Sequence, residues 1–126
     1  MLGEDISIWE RFIESHPEYF DSVDYDWRVG EGIVPDPEWE ENYKRMVTML
    51  SQMRIDVVGW NDEKPTIVEV KKRVGLSTMG QILGYQTLFI EEFPHFVVPG
   101  ILVITWSVGD DVKRVLTKKG IPIIIV

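Results

Sequence analysis

Apolar residues recur at three- and four-residue spacing in four stretches of the chain, and alternate or run continuously in five others. Trp9, Phe12 and Ile13 mark a first helix that Asp5 can cap and that ends near His16-Pro17. Tyr25, Trp27 and Val29 then alternate like a short strand within an ambiguous segment, 24–33, which Gly30 and Gly32 break. Pro35-Asp36-Pro37 opens a second helix running to about Met53, with Asp36 at its cap. Trp39, Tyr43, Met46, Val47 and Leu50 share one stripe of that helix, which reads as core. Strands follow at 54–60 and 65–72, joined through Asn61-Asp62-Glu63-Lys64. A helix over 76–93 stops at Pro94, an apolar strand over 96–106 is interrupted by Pro99-Gly100, a helix runs from Asp110-Asp111 to Gly120, and 121–126 is a terminal strand. The order α-β-α-β-β-α-β-α-β predicts one α/β domain over 1–126, with a mixed central sheet flanked by helices.

Two of these strands carry charges where an apolar strand should not. Asp56 interrupts Arg54-Ile55-Asp56-Val57-Val58, and Glu69 and Lys71 interrupt Ile67-Val68-Glu69-Val70-Lys71. Desolvating a carboxylate costs several kcal/mol unless something compensates it. Alternation puts Ile67, Glu69, Lys71 and Arg73 on one face of their strand. Pairing Asp56 with Glu69 sets Trp60 opposite Pro65 and leaves a four-residue loop, 61–64, a common hairpin length. A slip of one residue would separate the acids onto opposite faces. Two simpler readings stand beside this one: Glu69 and Lys71 on the solvated face of an edge strand, and Asp56 as a structural acid paired with Arg54 or Lys72.

A divalent cation between two carboxylates is a compensation that also supplies chemistry, by acidifying a bound water and acting as a Lewis acid on a phosphoryl group. The chain has no cysteine and only His16 and His95, so the ligands must be oxygens, which points to Mg²⁺, Mn²⁺ or Ca²⁺. A lysine two residues past the second acid reaches the same space as a point cation.

The helix after these strands adds to the constellation. Gln81 and Tyr85 lie four apart on one face. Gly80 and Gly84 each cost about 1 kcal/mol relative to alanine in a helix interior, which suggests a close approach to the sheet beneath. A tyrosine that merely packs beside Ile82 and Phe89 is the commoner explanation of Tyr85 alone. Taken in order, Asp56, Glu69-x-Lys71 and Gln81-x-x-x-Tyr85 resemble the PD-(D/E)xK, restriction-endonuclease-like nuclease superfamily, in the branch with a Gln-x-x-x-Tyr motif. The resemblance covers residues 54–105. It implies a restriction-endonuclease-like core and a Mg²⁺- or Mn²⁺-dependent nuclease that cuts nucleic acid, DNA above all, with a metal-bound water. It implies that Asp56, Glu69 and the backbone carbonyl of Val70 hold the metal, that Lys71 is the catalytic cation, and that Gln81 and Tyr85 support them. Ile55 stands where the signature has proline. Members often add an acid from the first helix, and Glu10, Glu14, Glu31, Glu40 and Glu41 all remain open for that role. Segment 35–53 is either an insertion or the first core helix.

Charge refines this picture. The net charge of −8 is unusual for a nucleic-acid binder. Residues 1–42 hold 13 acids against Arg11 and Arg28, however, while 43–126 hold eight acids against eleven basic residues. The segment with the motif is therefore mildly basic, and Lys72, Arg73, Lys44 and Arg45 are candidates for phosphate contacts. Lys113, Arg114, Lys118 and Lys119 are more simply cations at a helix C-terminus. A hydrophobic content of 44% suffices for a core. No transmembrane run or signal peptide is expected, and the expected location is cytoplasmic. The terminal strand 121–126 could pair with another chain to give a homodimer, or be buried centrally. A non-cleaving binding module on the same fold, or a protein-interaction domain, are the competing functions.

Overall fold

A computed structural model describes all 126 residues. One sheet contains β1 (Ser22–Val29), β2 (Met53–Asn61), β3 (Lys64–Val74), β4 (Gly100–Val108) and β5 (Ile123–Ile125), in that spatial order. β1, β2 and β3 pair antiparallel, while β4 and β5 run parallel to β3. Helix α1 (Gly3–Ser15) covers one face, and α3 (Leu76–Glu92) the other. α2 (Glu41–Ser51) connects β1 to β2, and α4 (Asp110–Lys118) connects β4 to β5. This is the mixed-sheet α/β architecture, in the element order expected.

The core has two layers because the central strands bury both faces, which is why their sequences read as continuous apolar runs. Ile8, Trp9 and Phe12 of α1 pack on Val57, Val68, Val70, Leu102 and Ile104. On the other side Ile82, Tyr85 and Phe89 of α3 pack on Ile55, Val58, Ile67 and Val103, closed by Leu116 and Ile121. Phe12 and Phe89 are almost completely buried. Each contributes on the order of 1.5–3 kcal/mol by burial.

Element boundaries shift where local hydrogen bonds outbid the apolar pattern. α1 begins at Gly3, so Asp5 lies in its first turn beside Glu4, where carboxylates complement the helix dipole, and is not the cap. Asp36 accepts the Glu38 N–H at 2.9 Å and makes a turn; Glu40 is the cap of α2, accepting from Tyr43 N–H. The stripe expected to be core in α2 is not: no residue of this helix is fully buried. The β2–β3 connection is tighter than expected. Trp60 does pair with Pro65, but Asn61 also pairs with Lys64, leaving a two-residue turn in which Asp62 takes φ 55°. The Asp62 amide donates to Asp21 Oδ2 at 2.8 Å. β4 starts only at Gly100; Phe96 belongs to the preceding loop, its ring 5.0 Å from that of Trp60. β5 is short and lies at the sheet edge.

The glycine pair in α3 does not have the role expected of it. A Cβ at Gly80 or Gly84 would meet nothing within 4 Å, so neither glycine is required by close packing on the sheet. Gly59 is the reverse case: a Cβ there would lie 2.5 Å from the Phe20 ring. Phe12 and Tyr19 pack against that ring and limit its escape. Gly80→Ala and Gly84→Ala are each expected to stabilise the protein by about 0.5–1 kcal/mol. Gly59→Ala is expected to destabilise it by about 1–3 kcal/mol. Urea or thermal melts of the three variants check both signs.

Candidate active site

The site forms where two strand ladders fail at the same place. The β2–β3 ladder runs from Asn61↔Lys64 to Val57↔Val68 and goes no further, although β3 stays paired with β4 as far as Val74↔Val108. At the point of separation Asp56 Oδ2 accepts the Val70 N–H at 3.0 Å, taking the place of a backbone carbonyl. On the other side of β2, the β1–β2 ladder has Tyr25↔Val57 and Trp27↔Ile55 but no pairing between them, at Asp26 and Asp56. Asp26 holds φ 53°, a conformation that costs a non-glycine residue about 1–3 kcal/mol and that Asp tolerates better than most.

A cleft of about 320 Å³ opens at this fork. Asp56, Glu69, Lys71, Gln81 and Tyr85 all line it, together with Asp5, Asp26, Arg54 and the Met1-Leu2 segment. Size alone would not choose it, since depressions of about 500 and 610 Å³ lie elsewhere. Neither of those is lined by a lysine beside a buried carboxylate. The Glu69 side chain is only 4% exposed, and its one ion-pair partner is Lys71 Nζ at 4.0 Å. The Met1 ammonium stands 3.6 Å from Asp26 Oδ1 and 3.9 Å from Asp56 Oδ1. Gln81 Nε2 donates to Tyr85 Oη at 2.8 Å, which leaves the phenolic proton free to donate into the cleft.

The electrostatics follow from burial and like charge. Desolvation, and then the neighbouring Asp56 carboxylate, push Glu69 up to about 8, with Lys71 opposing. Asp56 is also raised, by burial first, against the lowering effect of the Val70 N–H. Burial raises Tyr85 as well, against the Gln81 hydrogen bond, so its hydroxyl stays protonated. Four carboxylates (Asp5, Asp26, Asp56, Glu69) thus face a cleft with only two basic side chains, Arg54 and Lys71. No three of the chain's carboxylate and imidazole groups already converge as a metal cage. The donor set nonetheless suits a hard cation: all oxygen, negative in excess, and including the buried, poorly neutralised Glu69.

The remaining candidates lie elsewhere. Lys72 pairs with Glu4 at 3.4 Å and Lys44 with Glu41 at 3.2 Å. Neither they nor Arg45 and Arg73 line the cleft, and the same holds for Glu10, Glu14, Glu31, Glu40 and Glu41. The acids at the cleft beyond Asp56 and Glu69 are instead Asp5 and Asp26. Asp5 reads in sequence as a cap. Asp26 alternates with Tyr25 and Trp27 like the wet side of a strand, and its backbone twist leaves no sequence mark. Asp56 pairs with neither Arg54 nor Lys72.

Among known proteins, the crystal structure of a repair endonuclease from Pyrococcus abyssi is similar to this chain, with TM-score 0.54 and 16% sequence identity. The match covers 95% of this chain and 46% of that one, so the chain spans about half the length of that endonuclease. The fold is therefore nuclease-like. No family model matches the chain, nor does any curated protein. No helix is long and apolar enough to cross a membrane.

The raised Glu69 carboxyl has a measurable consequence. Between its ordinary value of 4.5 and about 8, the folded chain holds a proton there that the unfolded chain has released. Its contribution to stability is thus full below pH 4.5 and is lost as pH rises through about 8. In chelator, Glu69→Gln should remove that part of the pH slope and be more stable than wild type above it, by about 1–3 kcal/mol. Thermal melts of both proteins across this range test the sign; a variant no more stable than wild type at high pH would refute it.

Proposed function

We propose that this protein is a Mg²⁺- or Mn²⁺-dependent nuclease of the PD-(D/E)xK type that hydrolyses phosphodiester bonds of DNA. The observation that carries the reading is the convergence of Asp56, Glu69 and Lys71 with the Gln81–Tyr85 pair in one cleft, at the fork between β2 and β3. The description of its structural neighbour as a repair endonuclease supports a nucleic-acid substrate.

On this reading Asp56 and Glu69 would hold the cation, and the Val70 carbonyl and Asp26 or Asp5 would add further oxygens. A bound divalent cation supplies a water of lowered pKa and neutralises charge on the phosphoryl oxygens. Asp56 keeps its ligand orientation because its Oδ2 is fixed by the Val70 amide. Lys71 Nζ, half-exposed beside Glu69, orients the attacking water and offsets charge that develops on the phosphate. Tyr85 donates its hydroxyl proton to a phosphate oxygen, and Gln81 holds the ring oxygen in place. The backbone of the substrate strand is met by Arg54, at the cleft, and by Arg73, two residues past Lys71 on the same strand; neither has an ion-pair partner.

Cleavage of single-stranded, duplex and branched DNA is expected with Mn²⁺ or Mg²⁺ and not in chelator. Lys71→Ala and Glu69→Gln should each lower the rate by at least about 10²-fold. Tyr85→Phe should lower it less, by roughly tenfold, with the fold intact by circular dichroism. Binding that survives chelation without any cleavage would replace this reading with that of a non-cleaving module. Equal cleavage by wild type and Lys71→Ala would place the active site elsewhere.

A further inference from the structure

Two arginines stand directly opposite each other at the end of the β1–β2 ladder. Arg28 is the register partner of Arg54, so both side chains leave the sheet on one face, about 5 Å apart at Cβ. Like charges in that relation destabilise a sheet. Neither guanidinium has a carboxylate within ion-pair distance. Carboxylates are not scarce: the chain holds 21 acids against 13 basic residues, and four of them line the cleft that Arg54 itself lines. The repulsion between the two arginines is thus left without a partner from the chain.

Arg28 is half-buried, and its guanidinium donates to the Met49 carbonyl in the last turn of α2. A cation at a helix C-terminus is a sufficient structural role for one arginine. That bond engages one of five N–H donors, however, and does not account for a second, unpartnered arginine across the ladder. Arg54 lies two residues before Asp56 on β2, about 7 Å along the strand. This is comparable to the spacing of neighbouring phosphates along a nucleic-acid strand. Its charge is also felt on the α3 wall of the cleft: burial raises the Tyr85 hydroxyl, opposed by the Gln81 hydrogen bond and, less, by Arg54. Guanidinium groups present paired donors that match phosphate oxygens, and an anion between two of them removes their repulsion.

We propose that Arg28 and Arg54 form one subsite that holds the phosphate next to the one cut, so that the strand leaves the cleft over the β1–β2 ladder toward the C-terminal end of α2. The subsite deepens the reading of the cleft as the place where a nucleic-acid strand is bound, and rests on it. It meets the backbone and no base, so it adds affinity without sequence preference.

Fluorescence anisotropy of labelled single-stranded and duplex oligonucleotides, with Mn²⁺ and in a Lys71→Ala background that leaves the strand uncut, reads the subsite directly. Arg28→Gln and Arg54→Gln should each weaken binding several-fold and lower the slope of log affinity against log salt by about one, with the fold intact by circular dichroism. Combining them should cost little more than either alone, because both meet one phosphate. Arg28→Lys, which keeps the charge, should recover part of the loss. An Arg28→Gln variant that binds as tightly as its parent, or a loss that Arg28→Lys does not relieve, would overturn the proposal and leave Arg28 as an anchor of α2. Fully additive losses would assign the two arginines to separate phosphates and overturn the shared subsite. Hydrolysis of bis-p-nitrophenyl phosphate by protein with Lys71 intact tests the nuclease reading separately, since that diester has no neighbouring phosphate. Oligonucleotide binding with the expected arginine dependence, but no hydrolysis, would leave the subsite standing and remove the nuclease. No oligonucleotide binding at all would overturn the subsite.

Discussion

The hydrogen bond from the Val70 amide to Asp56 Oδ2 organises the functional half of this molecule. In an unbroken hairpin a backbone carbonyl of β2 would accept that amide. Here a side chain does so, and β2 is free to leave β3 without orphaning a buried donor, which would itself cost about 1–3 kcal/mol. The divergence creates the cleft, and the side chain that makes the bond becomes part of its wall. Both the opening and the fixed orientation of Asp56 thus come from one interaction. Glu69 is the counterpart of this arrangement: it follows the last β2–β3 pair, Val57↔Val68, on a strand that remains anchored to β4 through Glu69↔Val103. One carboxylate is placed by a hydrogen bond and the other by a ladder that does not open.

Such a site is destabilising in isolation, and the rest of the fold offsets it. Two carboxylates raised first by burial, Glu69 also by Asp56, with Lys71 4.0 Å from Glu69, form an incompletely compensated buried cluster. Asp26 adds backbone strain beside them. The offset is the double-sided core immediately behind: Ile55 and Val57, which flank Asp56 and enter opposite layers, and Val68 and Val70, which flank Glu69, are all fully buried. Apolar burial is non-directional, so it can support a strained constellation without itself needing exact geometry.

The fold was legible in sequence because its signals are local. Period-2 and period-3.6 patterns, with the punctuation of Pro94, Pro99-Gly100 and Gly120, place every element in the right order, and Trp60↔Pro65 follows from register alone. Polar competition was not legible. An Asp36–Glu38 turn delays α2 to Glu41, and the Asn61↔Lys64 pair shortens the hairpin, through hydrogen bonds that no apolar pattern announces. The stripe of α2 reads as core and is not, because periodicity marks a face as apolar and says nothing of whether the fold covers it. At the site, Asp56, Glu69 and Lys71 stood out as charges inside apolar strands, and Gln81 and Tyr85 as a helical pair. Asp5 and Asp26 did not, because a first-turn acid and an acid on an alternating strand are each ordinary until tertiary structure brings them to the same cleft.

The excess of carboxylates in the cleft also bears on how, on the proposed reading, an acidic protein would engage a polyanion. While Glu69 holds its proton, Asp5, Asp26 and Asp56 face Arg54, Lys71 and the Met1 ammonium, so the cleft offers a phosphate no net attraction, and distant basic residues add little beyond a Debye length of about 8 Å at physiological salt. A cation among the carboxylates would favour the ionised form of Glu69 and make the field positive at the point where the phosphate must sit. On the proposed reading, cation and substrate therefore bind with a coupling free energy, and that coupling is reciprocal: whatever factor the cation adds to the affinity for phosphate, phosphate adds to the affinity for the cation. The acidity is then no obstacle to nucleic-acid binding. It would make engagement of the backbone conditional on the metal, so that a cleft with few basic groups would discriminate against unproductive, metal-free association.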